Sequence, residues 1–491
     1  MLTQEMVDRD FPAPKEWSFL TKVVYHAARG LEVPSANETG VVNWAVCGLA
    51  YRDLLRRLED REGDGKGLID QDVAGAGYDV TGMSEEWRRG YHAALMGCGR
   101  AAIELSDTLL DTTTNIMYKR KFVVGPSNSR PKRLPKKWKL PPPREEDCIP
   151  AFAPPETYYM RVMTTTGFTA REKMDAALAY GGWCDFNGLF DAGEEMFSWA
   201  VDCAVSGLDW PSTATIHKGT GIIPLEMSVT DNILDATTAL AVHKAQSGDT
   251  STALPIFLSI LRARRAAPHQ DPTTLPQTTP QQQKRDTQIK RTDLDILKER
   301  IDSFWSLLQA SKFPDPPPSG NDPFVRTPDT DIDEAVVMSY IGEILFASDK
   351  AQRDAGLSWT SAAVDKAWDT YSSPITSRAA KLKAVDTLRV ATENKRTMLS
   401  LRLQDVQTQL EARQHTPMWK RAIPGLLGSE DALKREGKKW EEKGKEAAEF
   451  DHMLMRGRVY EVGEAPAPVW GTAFLKEWIL PRLAGARTWE V

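Results

Sequence analysis

Apolar residues recur along most of this chain at helical rather than strand spacing. Trp44, Cys47, Gly48, Tyr51, Leu54, Leu55 and Leu58 fall at three- and four-residue steps, with Arg52, Arg56 and Arg57 between them. That is the pattern of an amphipathic helix with one face buried. A Gly- and Asp-rich break over Asp60–Gly82 ends the run. Ser84 then offers an N-cap, with Glu85 and Glu86 in the first turn, where the helix dipole favours acids. The helix that follows runs through Trp87, Tyr91, Leu95 and Cys98 towards Leu109, with Gly97 and Gly99 weakening its middle. Strand-like alternation is almost absent, so the pattern predicts an all-α fold, with an N-terminal helical region over residues 1–118.

Residues 119–155 break this pattern. Lys119, Arg120, Lys121, Arg130, Lys132, Arg133, Lys136, Lys137, Lys139 and Arg144 are interleaved with six prolines from Pro126 to Pro143. Proline at this density holds neither a helix nor a central strand, so the segment reads as an extended basic arm. Two readings stand open. The arm is a solvated linker lying on the protein's own acidic surface, or it docks on RNA or an acidic partner through Arg130, Lys132, Arg133, Lys136, Lys137 and Lys139, with Trp138 available to stack.

Residues 156–265 form the clearest globular segment. The linker over 266–292, rich in Pro, Thr and Gln, is expected to be disordered. Helix returns over Asp293–Gln309, and a proline cluster over Phe313–Pro328 interrupts it. Helices over 331–373 and 376–414 then fill a C-terminal helical region spanning 293–450. Within it, Lys434–Glu449 sets acids and bases at i,i+4 spacing and reads as a solvated helix, because its apolar seam of Trp440, Ala447 and Phe450 is sparse. The tail, 451–491, is expected to pack back on the body through Trp470, Phe474, Trp478 and Ile479.

Two helical pairs share one layout. In residues 177–200 a first helix carries Ala177, Tyr180, Gly181 and Cys184. A turn falls at Gly188, and a second helix carries Phe190, Gly193, Phe197 and Ala200. Small residues suit the positions where the helices cross closely, here Gly181, Gly193 and Ala200, while Phe190 and Phe197 fill the groove between them. The second pair has Leu240, Ala241 and Lys244, a turn at Gly248, then Ala253, Phe257 and Ile260. Pro255 inside its second helix should kink that helix or shift its start. The two turns lie 60 residues apart, against ~34 in a plain array, so an insertion over Gly207–Asp231 is expected to loop out.

These residues stand at the W-x2-L-G-x2-Y and later consensus positions of the tetratricopeptide repeat, and the segment resembles that helical superfamily. Trp44, Cys47, Gly48 and Tyr51 form a weaker copy, as do Ile341, Gly342, Leu345, Ala355, Trp359 and Ala362. The stretches TTTGFTAREKMDAALAY, GLFDAGEEMFSWAVD and ATTALAVHKAQSGDTSTALPIFLSILRARR are similar to a group of fungal mitochondrial proteins of this type, some labelled maltose permease. That label conflicts with the hydropathy, since a permease needs many spanning helices. The resemblance implies an irregular helical-repeat solenoid with long Pro-rich linkers, a mitochondrial setting and no catalytic residues.

Composition sharpens this picture. The chain has 491 residues and a net charge of −6, too acidic to coat nucleic acid through bulk charge. Hydrophobic residues at 41% and aromatics at 8% exclude a wholly disordered chain. No apolar run approaches the ~18 residues of a membrane span. The N-terminus carries Glu5, Asp8 and Asp10 and no presequence pattern. Five scattered cysteines read as buried thiols rather than a disulfide framework.

The search for chemistry is mostly negative. HExxH, GxSxG and Walker A motifs are absent, and Gly75 and Gly77 make only a GxG fragment. Asp60, Glu62, Asp64 and Gly65 resemble the start of a calcium loop, but Gln71 stands where a bidentate Glu is required. No cofactor or metal is expected. The leading expectation is a non-enzymatic scaffold that binds a protein or peptide in a concave groove. Candidate groove residues, from helix register, are Asp175, Tyr180, Asn187, Thr237, His243 and Lys244. An RNA- or ribosome-associated factor using the arm over 119–144 is the alternative, and an enzyme of unknown type ranks below both.

Overall fold

The helix start that the sequence marks at Ser84 is closed by a side-chain cap, and three others are closed in the same way. Ser84 Oγ accepts from the Trp87 N–H at 3.1 Å, Asn43 Oδ1 from Val46 at 3.0 Å, and Asp249 Oδ1 from Thr252 at 3.2 Å. Thr169 and Glu172 form a reciprocal capping box. Such caps satisfy N–H groups that a first turn otherwise leaves unpaired. The computed structural model describes residues 12–33, 41–71, 75–134, 141–208, 216, 220–270, 313–415 and 430–461. Among these the protein is mostly helical, with twelve α-helices and three short strands. It divides into two compact units: of the described residues, those up to Gly207 and 313–320 belong to the first, and those over 208–270 and from Asn321 onward to the second.

The first unit contains α1 (Phe19–Leu31), α2 (Trp44–Leu58), α3 (Glu85–Glu104), α4 (Pro155–Thr164), α5 (Ala170–Phe186) and α6 (Phe190–Ser206). Helix α3 packs on both α2 and α4, and its glycines carry that packing. A Cβ on Gly97 would stand 2.3 Å from the Tyr51 ring, one on Gly99 2.7 Å from the Tyr159 ring, and one on Gly90 2.4 Å from Trp17. The residues expected to weaken α3 are the places where aromatic rings lie against its backbone.

Between α3 and α4 the chain forms a small antiparallel sheet in the order β2-β1-β3, from β1 (Thr108–Asp111), β2 (Ile116–Lys119) and β3 (Cys148–Pro150). Leu110 pairs with Met117 on one side and Ile149 on the other. This corrects the helical reading of residues up to 118. Four-residue strands show no alternation, and the hairpin is set by its turn instead. The Asp111 carboxylate accepts from the N–H and hydroxyl of Thr113 at 2.8 and 2.7 Å, and Asn115 takes a positive φ of 55°. Pro150 sits on the edge strand, where its missing N–H leaves the ladder intact.

The second unit contains α7 (Asp231–Gln246), α8 (Thr250–Ala266), α9 (Asp331–Ser348), α10 (Arg353–Ser372), α11 (Arg378–His415) and α12 (Glu430–Glu461). Helix α8 runs through Pro255 from its Asp249 cap, so the proline does not displace the start. The end of the expected insertion is not looped out: Ile223 is 1% exposed, and a Cβ on Gly221 would meet Leu240 at 2.9 Å. Helices α9 and α10 cross where Gly342 faces Gly356, a Cβ on either meeting the other's carbonyl oxygen at 2.9 or 2.7 Å. The charged helix α12 is not solvated all round. Trp440 and Ala447 are buried, and its seam joins the cores formed by α10 and α11.

The two sequence-matched helical pairs, α5–α6 and α7–α8, fall in different units. Their turns are alike, Gly188 and Gly248 having positive φ of 73° and 93°. In the first pair a Cβ on Gly181 would touch the Phe197 ring at 3.1 Å, the close crossing that the residue sizes predict. Phe190 departs from that scheme, being 41% exposed. The helix expected over Asp293–Gln309, the linker beyond Gln270 and the aromatic residues of the tail lie outside the described residues. No helix among the described residues is long and apolar enough to cross a membrane.

Candidate functional site

Helix α5 carries an aromatic face that climbs from the core of the first unit to solvent. Tyr159 of α4 is 1% exposed and stacks on Tyr180 at 6.0 Å and 23°. Tyr180 stacks in turn on Trp183 at 5.7 Å and 14°, and both are half-buried. One turn further, Phe186 is 89% exposed. Three-residue spacing sets Trp183 beside Tyr180 and Phe186 beside Trp183 along α5. Burial pushes the Tyr180 hydroxyl up to about 12, with Cys184 and the carboxylate of Glu156 adding to the shift.

Two groove residues read from register belong here. Tyr180 is part of the stack, and Asn187, exposed at the C-cap of α5, donates from Nδ2 to the Trp183 carbonyl at 2.8 Å. Asp175 is half-buried and pairs with Arg171 at 3.0 Å. The other three lie in the second unit, and two of them are buried. Thr237 is fully buried, donating to the Ile233 carbonyl at 2.6 Å, and His243 is 1% exposed. Both fall on the side of α7 that carries Ile233, Leu240 and Ala241, so they pack inward. Lys244 is half-buried. Trp183 and Phe186 were not singled out from the sequence, although their spacing with Tyr180 in YGGWCDF was the signal.

Three cations of the basic arm are described. Arg130, Lys132 and Arg133 are exposed, and none makes an ion pair among the described residues. The start of the arm is anchored by backbone: Lys132 N–H donates to Lys121 at 2.8 Å, and Asn128 Nδ2 donates to Val123 at 2.9 Å. Lys136, Lys137, Trp138 and Lys139 lie outside the described residues.

Elsewhere polar groups serve structure. The Glu32 carboxylate, at the end of α1, accepts from Tyr51 of α2 at 2.5 Å and from Arg100 of α3 at 2.7 Å. The Glu59 carboxylate, at the end of α2, accepts from Tyr91 of α3 at 3.0 Å and pairs with Arg161 of α4. The same device is used twice, one helix further along: a carboxylate closing one helix, a tyrosine on the next, an arginine on the one after. Burial and the adjacent carboxylates push both tyrosine hydroxyls up, so neither is an acid or base at neutral pH. Burial also pushes the Cys47 thiol up to about 12, and Cys98 rises for the same reason.

The calcium-like segment is a structural turn. Both oxygens of Asp64 accept from Ser18, at 2.8 Å from N and 2.7 Å from Oγ. No group of three or more potential metal ligands occurs among the described residues. Gly77 of the GxG fragment packs on the end of α4, where a Cβ would overlap Thr165.

Two clefts of the second unit lie among the described residues. One, of about 440 Å³, lies between residues 223–229 and the end of α8. Its polar side chains Ser259 and Arg262 are taken up by the Ile223 backbone, each at 3.1 Å. The other, of about 280 Å³, opens between α10, α11 and α12. It separates two core clusters, with Val364, Trp368 and Phe450 on one side and Leu357, Leu399 and Ala447 on the other. Trp440 and Phe450 fill the seam of α12, but the turn between them carries Lys443 and Gly444, leaving the core unfilled there. No family model, curated protein or solved structure matches the chain.

Proposed function

We propose that this protein is a non-enzymatic helical-repeat scaffold whose docking face for a protein or peptide partner is the aromatic side of α5. The observation that carries the reading is the stack of buried Tyr159, Tyr180 and Trp183, with Phe186, 89% exposed, three residues further along the helix. Aromatic side chains dominate binding energy at interfaces, because they bury large area at small conformational cost. Here the stack is fixed from below by packing, so little order is lost on binding. The left-handed glycines at Gly188 and Gly248 and the Gly181–Phe197 crossing support the reading of the helical pairs as tetratricopeptide-like repeats. The resemblance to fungal mitochondrial proteins supports a mitochondrial assembly as the setting.

The test is copurification from the native host with wild-type protein and the Trp183→Ala/Phe186→Ala variant. Partners held by the wild type and lost from the variant are expected. The same partner set on both proteins, with the variant folded, removes α5 as the docking face. A second reading, RNA association, rests on exposed Arg130, Lys132 and Arg133, which lack ion-pair partners among the described residues. Its affinity should fall steeply with salt, as each neutralised phosphate releases counterions. Charge reversal of these three residues should abolish it, and unchanged RNA binding after that change removes the reading.

A further inference from the structure

We infer that the cleft between α10, α11 and α12 binds a small zwitterion with an apolar body, the chemistry of a free amino acid bearing a large side chain. The inference is independent of the docking face, which belongs to the first unit. The first support is a buried hydroxyl. Thr392 lies at the cleft, 1% exposed, and its Oγ1 has no hydrogen-bond partner. The other three threonines of α11 all donate to the carbonyl four residues back: Thr387 to Lys383 at 2.8 Å, Thr397 to Glu393 at 3.0 Å and Thr408 to Gln404 at 2.9 Å. Thr392 forgoes that bond at the one cleft-lining threonine position of the helix. A buried hydroxyl left unpaired is costly, and a ligand that pairs with it recovers that loss.

Charge supplies the second support. Lys395 and Lys443 line the cleft together with Asp365 and Glu446, and none of the four makes an ion pair among the described residues. Lys443 also lies over the Trp440 ring, 5.2 Å from its centroid; two cations and two carboxylates without ion pairs complement a molecule carrying both signs, and disfavour a simple anion or cation. Thr392 and Lys395 lie three residues apart on α11, one above the other, and are placed to take a carboxylate. Asp365 and Glu446 take the ammonium group. Leu357, Leu399 and Phe450 supply the apolar wall.

Volume limits the ligand. About 280 Å³ is just below the ~300–1,000 Å³ of ordinary ligand pockets, room for an amino acid and too little for a dinucleotide.

Titration calorimetry on the full chain, with L-phenylalanine, glycine, phenylacetate and phenethylamine as probes, tests this. L-phenylalanine is expected to bind saturably, with glycine undetectable and the two singly charged probes at least threefold weaker. Thr392→Val should weaken L-phenylalanine at least threefold while leaving the melting temperature unchanged or higher, because it removes an unpaired buried hydroxyl without changing volume. Lys395→Gln/Lys443→Gln, at half-buried and exposed positions, should abolish the preference for L-phenylalanine over phenethylamine. Absence of saturable L-phenylalanine binding overturns the inference, as does glycine binding of equal strength. Unchanged affinity in both variants overturns it as well.

Discussion

Helix α3 of the first unit and helix α12 of the second use glycine in opposite ways. In the first, Gly90, Gly97 and Gly99 of α3 lie under Trp17, Tyr51 and Tyr159, so each absent Cβ is replaced by a ring. In α12 of the second unit, Gly444 has nothing within 4 Å of where a Cβ would stand, and the neighbouring core contains a cleft. Helix α3 is closed in by rings, whereas α12 borders a gap in its bundle. Glycine in a helix is a loss of propensity only where nothing takes the vacated space.

Gly97→Ala should therefore have the largest effect. Its Cβ would lie 2.3 Å from the Tyr51 ring, and Tyr51 is fully buried and held by Glu32, so it has little freedom to withdraw. Overpacking of this kind destabilises by about 3 kcal/mol. Denaturant unfolding of the first unit, followed against wild type, measures it. A stabilised variant would show that Tyr51 does not sit on α3 as described.

Next in size is Arg161→Met, which removes the cation facing Glu59 but keeps the aliphatic stem. Both side chains are about one-fifth exposed, at 17% and 20%, so solvent offsets part of the loss and about 2 kcal/mol is expected. Tyr91 still donates to Glu59, which keeps the carboxylate from being wholly abandoned. Gly444→Ala reverses the sign. With no neighbour to meet, alanine restores helix propensity and should stabilise α12 by about 1 kcal/mol, read as a higher unfolding midpoint of the second unit. A loss of stability there would mean that the gap is already filled.

The sequence made the helices legible because their evidence is local. Ser84 and Gly188 each mark an end within a few residues of the chain they control, and the structure places a cap at the one and a left-handed turn at the other. The small sheet was hidden because β1 and β3 meet through a separation of about 40 residues, and four-residue strands carry no period. Burial on α7 was hidden for a different reason. Thr237 and His243 look like surface chemistry, and only the packing of neighbouring segments shows them to be inside. The aromatic face of α5 was half legible, through Tyr180 and Asn187. The cleft was not legible at all, since it is made by what three helices fail to fill.

The smallest expected effect tests the second unit through a proton. Glu343 of α9 accepts at Oε1 from Ser339 at 3.2 Å and from Asn394 of α11. Burial pushes its carboxyl above the usual range, and those two hydrogen bonds oppose the shift only in part. An acid whose folded pKa is raised binds its proton more readily in the native state than in the unfolded chain. Above the raised pKa the ionised carboxylate makes the native state carry the desolvation cost. Stability then recovers as pH falls through the raised pKa towards the ordinary carboxylate value. Glu343→Gln keeps an oxygen for both donors and removes the charge, so it should stabilise the second unit at pH 7 by about 0.5 kcal/mol. The gain should shrink as pH falls through that same window, when wild-type Glu343 becomes neutral. A gain that stays constant down to pH 4 would place its origin in packing rather than in the buried charge.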